Sequence, residues 1–410
     1  MPNSILPTDI SQVVNSLISQ AGGSALAATD ISNMITVAQA AQIYGTESLL
    51  NALTLQVGRT LIAIRPYEGD DLGVEVDSMT YGQISRKISY YSSAFEADQS
   101  WNTAASGAGY TLKDGAAVDH YKIQKQYPLE MQFGGNKVIQ KHITRFLDQL
   151  NIAFRSPEDL ARFIAGLSIE NMNTISLMKE ARNRAILLNY IGGLYNIGTV
   201  RSKVNLTAEY NAKYGTQYTS ADLRTAHLKE LLAFLVSRIQ YDSDMMARNT
   251  DLFHLTPAKN DDGGNVLKLF RHTPKSEQRL TLLSSLLYDA EANVLPEIFH
   301  DGYLKLENYR SVPFWQSAES GKEGLINVTP NQLNVADGTT VKGTAVTKPY
   351  IVGLMYDRPA LMSTYRLDRT ITTPVNAAGD YVNTYYHWAN DFTNDFTENG
   401  ILYYMEDAEV

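Results

Sequence analysis

The chain has 410 residues, of which 44% are hydrophobic and 19% charged, and it carries a net charge of −9. That length can bury a large core in two or three domains or in one irregular one, whereas the acidic balance excludes a protein that wraps nucleic acid with a broad basic surface. The absence of cysteine removes disulfides, thiolate nucleophiles, iron–sulfur clusters and cysteine-ligated zinc, and no apolar run approaches the ~20 residues of a membrane span.

The opening MPNSILPTDISQVV has no positive region ahead of an apolar stretch. It does not read as a signal peptide, and the protein is expected to stay in the cell that makes it. Small and polar residues through AGGSALAATD at 21–30 suit an extended arm rather than a domain. ESLLNALTLQVGRTLIAI at 47–64 has a helical period through Leu49, Leu50, Leu53 and Val57 and then a strand-like end.

From about residue 73 the chain reads as two long limbs with a loose tip. GVEVDSMTYGQISRKISYYSS runs out, WNTAASGAGYTLKDGAAVD forms the tip, and YKIQKQYPLEMQF at 121–133 comes back. The returning limb alternates through Tyr121, Ile123, Tyr127, Leu129, Met131 and Phe133, with Lys125 the one break. Strict alternation gives a strand with one apolar and one wet face, here spanning roughly 40 Å. An isolated two-stranded ribbon is marginal in water and needs a second surface, so the apolar face is expected to lie partly on an adjacent subunit. Lys125 and Pro128 should mark where the limb bends or leaves its partner.

Ser156-Pro157-Glu158-Asp159 is a helix start: a serine N-cap, proline at the first helical position and acids at the positive end of the helix dipole. Leu160, Phe163, Ile164, Leu167, Met172, Ile175 and Met178 carry the helical period onward to Gly192-Gly193, where it should stop. The resulting helix would measure roughly 50 Å. A polar connector is expected over 200–218. Thr219 and Asp222 then repeat the capping logic ahead of LRTAHLKELLAFLVSRI, an amphipathic helix. Beyond it, LTPAKNDDGGNV reads as a surface loop, RLTLLSSLL (279–287) as a buried strand, DAEANVLPEIF as a short helix, and KPYIVGLMYD (348–357) as another strand. ALMSTYRLDRTITTPV and the run from YVNTYYHWAN, joined by NAAGD, form a hairpin of long limbs. The class is α+β. No internal repeat of solenoid period is visible.

Chemistry is hard to find. The seven histidines show no HExxH or HxH spacing, there is no GxSxG and no phosphate loop, and NDDGG at 260–264 lacks the spacing of a calcium loop. Gly107 and Gly109 lack the third glycine and the helix of a dinucleotide fingerprint, and suit a loop tip instead. Thr, Asn and Asp richness at 390–399, beside Tyr385 and Trp388, admits sugar binding, but polar groups on the exposed face of a long strand account for it more simply. No catalytic, cofactor-binding or metal-binding residue is assigned. The 25 tyrosines against three tryptophans suit either half-buried sheets or partly wet interfaces.

Three stretches carry a family resemblance: EARNRAILLNYIGGLYN, LLYDAEANVLPEIFHDGYLKLENYRSVPF and AAGDYVNTYYHWANDFTNDFTENGILYYM. Together with the order of parts, they resemble the major capsid proteins of tailed bacteriophages, podovirus-type members of the shell fold shared with encapsulins. The resemblance implies an N-terminal arm (1–66), an extended loop formed by a long β-hairpin (67–135), a peripheral domain (136–200 and 361–398) with a spine helix over about 157–191, and a compact α+β axial domain (201–360 and 399–410). It implies a non-enzymatic subunit that assembles as hexamers and pentamers into an icosahedral virion shell around double-stranded DNA. Assembly would take place in the bacterial cytoplasm, with a separate scaffolding protein and a portal, no tight DNA binding and no membrane. Excess strand edge, usually a hazard, would then serve assembly. Candidate inter-subunit contacts are Tyr90, Tyr91, Phe95, Trp101 and Tyr110 on the outgoing limb and tip, with Tyr127, Leu129, Met131 and Phe133 on the returning limb. An encapsulin-type compartment shares the fold. A secreted carbohydrate-active or surface-layer protein is the reading from another class, and the missing signal peptide counts against it.

Overall fold

The structure is a computed structural model that describes residues 65–78, 84–92, 121, 123, 125–134, 137–146, 157–262, 264, 266–286, 288 and 309–407. The arm before residue 65, the loop tip with Phe95, Trp101 and Tyr110, the Ser156 N-cap and the short helix expected at DAEANVLPEIF lie outside the described residues. Contacts divide the chain into two units, Met1–Pro66 with Arg155–Asn171, and Tyr67–Phe154 with Met172–Val410. Of the first unit, the described part is residues 65–66 and the opening turns of the long helix.

In chain order the elements are β1 (Glu75–Ser78), β2 (Ser85–Tyr90), β3 (Pro128–Phe133), β4 (Lys137–Phe146), α1 (Pro157–Ile197), β5 (Lys203–Asn205), α2 (Leu206–Tyr214), α3 (Ser220–Arg224) and α4 (Leu228–Met246). There follow β6 (Gln278–Leu283), β7 (Tyr309–Val312), β8 (Asn331–Leu333), β9 (Thr340–Lys342), β10 (Tyr350–Asp357), β11 (Leu361–Thr372), β12 (Tyr381–Asn394) and β13 (Gly400–Met405). One sheet has the order β1-β11-β12-β4 and a second the order β5-β13-β10-β6-β7, while β2–β3 and β8–β9 form separate two-stranded ribbons. The expected long hairpin is β11–β12, running from Leu361 opposite Asn394 to Thr372 opposite Thr384. After Asn394 the chain leaves the first sheet, turns through 395–399 and enters the second as β13, between β5 and β10.

Helix α1 runs to Ile197, past the expected stop at Gly192-Gly193. Glycine ends a helix when the backbone there must turn left-handed; here both glycines remain helical because their bare faces are packing surfaces. A Cβ on Gly192 would lie 2.9 Å from Val328 Cγ1, and one on Gly193 would run into the Phe396 ring. Gly193→Ala should therefore lower stability by about 1–2 kcal/mol, because overpacking exceeds the gain of roughly 1 kcal/mol in helix propensity. A denaturant midpoint at or above the parent's would disprove this.

The other corrections have local causes. Thr219 and Asp222 do form a capping box, but the helix they start ends at Arg224, and a second begins at Leu228. Thr225 donates its hydroxyl to the Ala221 carbonyl at 2.9 Å, the acceptor that continued helix would give to the Thr225 amide. The polar connector contains a helix, α2, capped by Asn205, which accepts from the amides of Thr207 and Ala208, and closed by Gly215 at φ 68°. The strand expected at 279–287 spans Gln278–Leu283 and then turns helical.

The main core gathers Leu187, Tyr190, Ile191 and Leu194 of α1, Leu231 and Leu235 of α4, and the inner residues of β6, β10 and β13. Tyr190, Tyr356 and Tyr403 are fully buried, so part of the tyrosine excess is core. Among the described residues no helix is long and apolar enough to cross a membrane, and no group of three or more His, Asp or Glu could hold a metal ion.

Candidate functional site

The two limbs do pair, antiparallel, from Ser85 opposite Phe133 to Tyr90 opposite Pro128. The ladder is six residues long on each side, well short of the thirteen-residue alternation. Pro128 is where it begins, since proline has no amide to donate to a ladder and is confined to strand ends and edges. One further bond, from the Tyr91 amide to the Tyr127 carbonyl at 3.0 Å, extends the pairing beyond it. Lys125, the break in the alternation, pairs with Asp262 at 2.7 Å, tying the returning limb to the 260–262 loop. Asp262 is held below the usual carboxylate range by Lys125 and then by the Tyr127 hydroxyl.

Alternation gives the ribbon two faces of opposite character. Inward lie Ser85, Lys87, Ser89 and Tyr91 on one strand, with Tyr127, Leu129, Met131 and Phe133 on the other. Tyr91 is 5% exposed and packs with Leu267, Leu269, Tyr127 and Leu129, and its hydroxyl donates to the Pro257 carbonyl at 3.0 Å. Met131 packs on the main core. Of the candidate contacts described, these four are engaged within their own chain, and Phe133 lines a cleft.

Outward lie Ile84, Ile88 and Tyr90, exposed at 54%, 48% and 66%. Beside them, Arg86 and Glu130 form a 2.6 Å ion pair, and the Arg86 guanidinium and then the Gln132 amide hold the Glu130 carboxyl below its usual range. The apolar residues of β2 thus sit on the solvent side, contrary to the usual sorting. A cleft of about 980 Å³ opens between the ribbon, α1 and the β8–β9 ribbon, lined by Met131, Phe133, Ile186, Phe392, Asn394 and Phe396.

Ionic contacts add to the inner-face packing of the ribbon. Lys87 Nζ reaches Asp395 Oδ2 and Glu398 Oε1 in the turn between β12 and β13, where the two acids are 1% and 9% exposed. Arg271 donates to Ser89 Oγ at 2.6 Å and to the Thr397 carbonyl at 3.2 Å, and lies 3.5 Å from Glu398. Asp395 in turn accepts from the Thr397 amide at 2.8 Å and hydroxyl at 2.6 Å, closing a local turn. Tyr190, fully buried beside this cluster, has its phenol pushed well up by burial first and then by Asp395, Glu398 and Asp357.

These polar residues correct the expectation that 390–399 lies on an exposed strand face. Asn390, Asp391, Thr393, Asp395, Thr397, Glu398 and Asn399 are all buried. The reason is position: β12 is flanked by β11 and β4, and the turn after it lies under the ribbon. Trp388 is 2% exposed and offers no ring face to a sugar. Sequence reasoning missed Lys87, Arg271, Asp395 and Glu398 as a group because Lys87 sits 308 and 311 residues from its partners. An acidic cluster in an otherwise strand-like run was the only available signal.

No protein-family model and no curated protein matches the sequence. Solved structures do. A chain from the capsid structure of Staphylococcus phage Andhra aligns over 86% of this chain and 87% of its own, with a TM-score of 0.52 at 12% identity. The chain has the fold of tailed-phage major capsid proteins. A chain from the structure of the head fiber and inner core protein of native bacteriophage P68 shares this fold over 85% of the present chain and 87% of its own, with a TM-score of 0.55 and 13% identity. At such identities the fold is common to these chains while individual contacts are not transferable.

Proposed function

We propose that this protein is the repeating subunit of a virion shell, assembling as hexamers and pentamers around double-stranded DNA with no catalytic role. The observation that carries the reading, on a chain with the capsid fold, is the ribbon's outward stripe of Ile84, Ile88 and Tyr90, held in place by an ionic footing on its other side. A ribbon anchored through one face and apolar on the other is what a neighbouring copy can cover. In this reading Phe95, Trp101 and Tyr110 extend the same contact, residues 1–66 form an arm, 67–135 the extended loop, 136–200 and 361–398 the peripheral domain, and 201–360 with 399–410 the axial domain. The net charge of −9 suits a wall that encloses nucleic acid without gripping it. A scaffolding protein and a portal would be separate chains.

The test is Ile88→Asp with Tyr90→Asp. Each site loses the burial of one apolar side chain, about 2 kcal/mol per contact, so the concentration needed for assembly should rise at least ~30-fold. The subunit's thermal unfolding should be unchanged. Particle counts by electron microscopy and light scattering provide the readout, and the ratio of absorbance at 260 to 280 nm separates shells filled with nucleic acid from protein-loaded compartments. Normal shells from the double variant would remove the stripe from the interface.

A further inference from the structure

Behind the ribbon's footing runs a row of four buried side chains that the shell reading does not use. His254 Nε2 faces the Leu269 carbonyl at 2.9 Å, and its Nδ1 faces Asn399 Oδ1 at 3.0 Å. The Asn399 amide donates to Thr273 Oγ1 at 3.1 Å, and the Thr273 hydroxyl donates to Asp357 Oδ2 at 2.7 Å. His254, Thr273 and Asn399 are at most 2% exposed and Asp357 is 7% exposed.

The hydrogen-bond directions count the protons. Both ring nitrogens of His254 face oxygen acceptors, so both must donate, which makes the ring an imidazolium balanced by the Asp357 carboxylate. If the Asn399 amide turns over, every bond can reverse: a protonated Asp357 donates to Thr273, Thr273 to Asn399, Asn399 to His254 Nδ1, and the neutral ring keeps its Nε2 proton on Leu269. Each direction uses one proton and leaves nothing unpaired. With no proton on the pair, two acceptors must face each other somewhere along the row, which is costly in a buried site.

We propose that His254 and Asp357 share one proton along this row, and that this proton keeps the 395–399 turn, and with it the footing of the ribbon, closed. Asn399 belongs to the same turn as Asp395 and Glu398, and its carbonyl accepts from the Asp357 amide at 2.9 Å. An open row therefore loosens the residues that Lys87 and Arg271 grip.

The surrounding charges are Arg271, Glu398 and Asp251 near His254, and Glu398, Lys87, Glu277 and Tyr190 near Asp357. Burial pushes the Asp357 carboxyl from 3.8 to about 6, so its protonated form favours the fold; that contribution is complete below pH 3.8 and is lost as pH rises through about 6. Burial pushes the His254 imidazolium down from 6.5, against the pull of the Leu269 carbonyl and the Asn399 amide; its neutral form favours the fold, and that contribution is complete above pH 6.5 and lost on acidification. Sharing one proton reconciles the two, and the pair titrates as a unit.

The test measures, on the full chain, the pH midpoint of His254 by exchange of its ring C2 hydrogen, read by mass spectrometry, together with backbone amide exchange across 395–400. Thr273→Val removes only the relaying hydroxyl. Asn399 is then free to present its NH₂ to His254, and the His254 midpoint should fall by about one pH unit, the coupling expected of interacting sites. Thr273→Ser should restore it. In the parent, amide protection at 395–400 should fall once the pair loses its proton, and in Thr273→Val that step should vanish. Should Thr273→Val not fold, Asp357→Asn, which removes the carboxylate that balances the imidazolium and can donate its NH₂ to Thr273, should lower the His254 midpoint likewise. A midpoint unmoved by these variants, or moved equally by valine and serine, would overturn the proposal, as would protection at 395–400 that does not vary with pH in the parent.

Discussion

Lys87→Met is expected to destabilise the protein by about 2–4 kcal/mol at neutral pH, because it leaves Asp395 and Glu398 buried without their shared cation. The two carboxylates are 1% and 9% exposed, and Lys87 itself is 26% exposed, so its ammonium keeps some water and the loss falls somewhat below the usual range for a fully buried pair. Arg271, 3.5 Å from Glu398, partly neutralises that acid and leaves Asp395 dependent on the lysine. The stability loss should be accompanied by faster amide exchange in Ser85–Tyr90, since the inward serines on that strand offer little apolar surface to hold it. Adding Asp395→Asn and Glu398→Gln to Lys87→Met should recover much of the loss, because amides tolerate burial without a counter-charge. Urea denaturation measures both effects. A Lys87→Met protein within 0.5 kcal/mol of its parent, about the scatter of ordinary surface changes, would mean that the footing does not depend on this lysine.

Trp315→Ala should cost about 3–5 kcal/mol, the range for removing a fully buried large aromatic. Trp315 has no exposed surface, and its indole N–H donates to the Ile351 carbonyl at 2.9 Å. That carbonyl lies at the irregularity in β10, where the pairing with β13 shifts between Ile351 and Gly353. The backbone at 315 is held by the Glu323 carbonyl at 3.0 Å, and Arg184 of α1 donates to the Phe314 carbonyl at 2.5 Å while lying over the Phe314 ring at 4.1 Å. The indole therefore joins the 313–327 loop to β10, while Phe314 beside it meets Arg184 of α1, and alanine at 315 would leave a void in the core. Trp315→Phe, which refills most of the volume but not the donor, should cost about half as much, since the Ile351 carbonyl loses its partner. Equal losses for Ala and Phe would assign the effect to the hydrogen bond instead of the cavity.

How much of this was legible in the sequence varies with the range of the interactions involved. The pairing of the two limbs follows from their alternation and from the glycine-rich stretch between them, and Pro128 marks one end of the ladder because it has no amide to donate, whereas Lys125 lies beyond the ladder and pairs with Asp262. The Thr219–Asp222 capping box was readable for the same reason: its partners are three residues apart. So were the Asn205 and Gly215 signals that bound α2, although the polar composition of the connector obscured them. The β11–β12 hairpin announced itself through its period and its turn.

Sequence alone determined the α+β class, the long helix, the long terminal hairpin and the two-faced character of the ribbon, because period-two and helical patterns, caps and turns all act between near neighbours. It could not decide which face of the ribbon turns inward. The alternation offers Leu129, Met131 and Phe133 on one strand, but on the other it offers Ser89, Lys87 and Ser85 in register with them, and only the buried acids at 395 and 398 make that lysine an inward residue. The same holds for Gly192 and Gly193, which read as a helix stop until Val328 and Phe396 arrive to occupy the space. A residue's burial and charge state are set by partners that can lie hundreds of positions away, and that information exists only once the chain is folded.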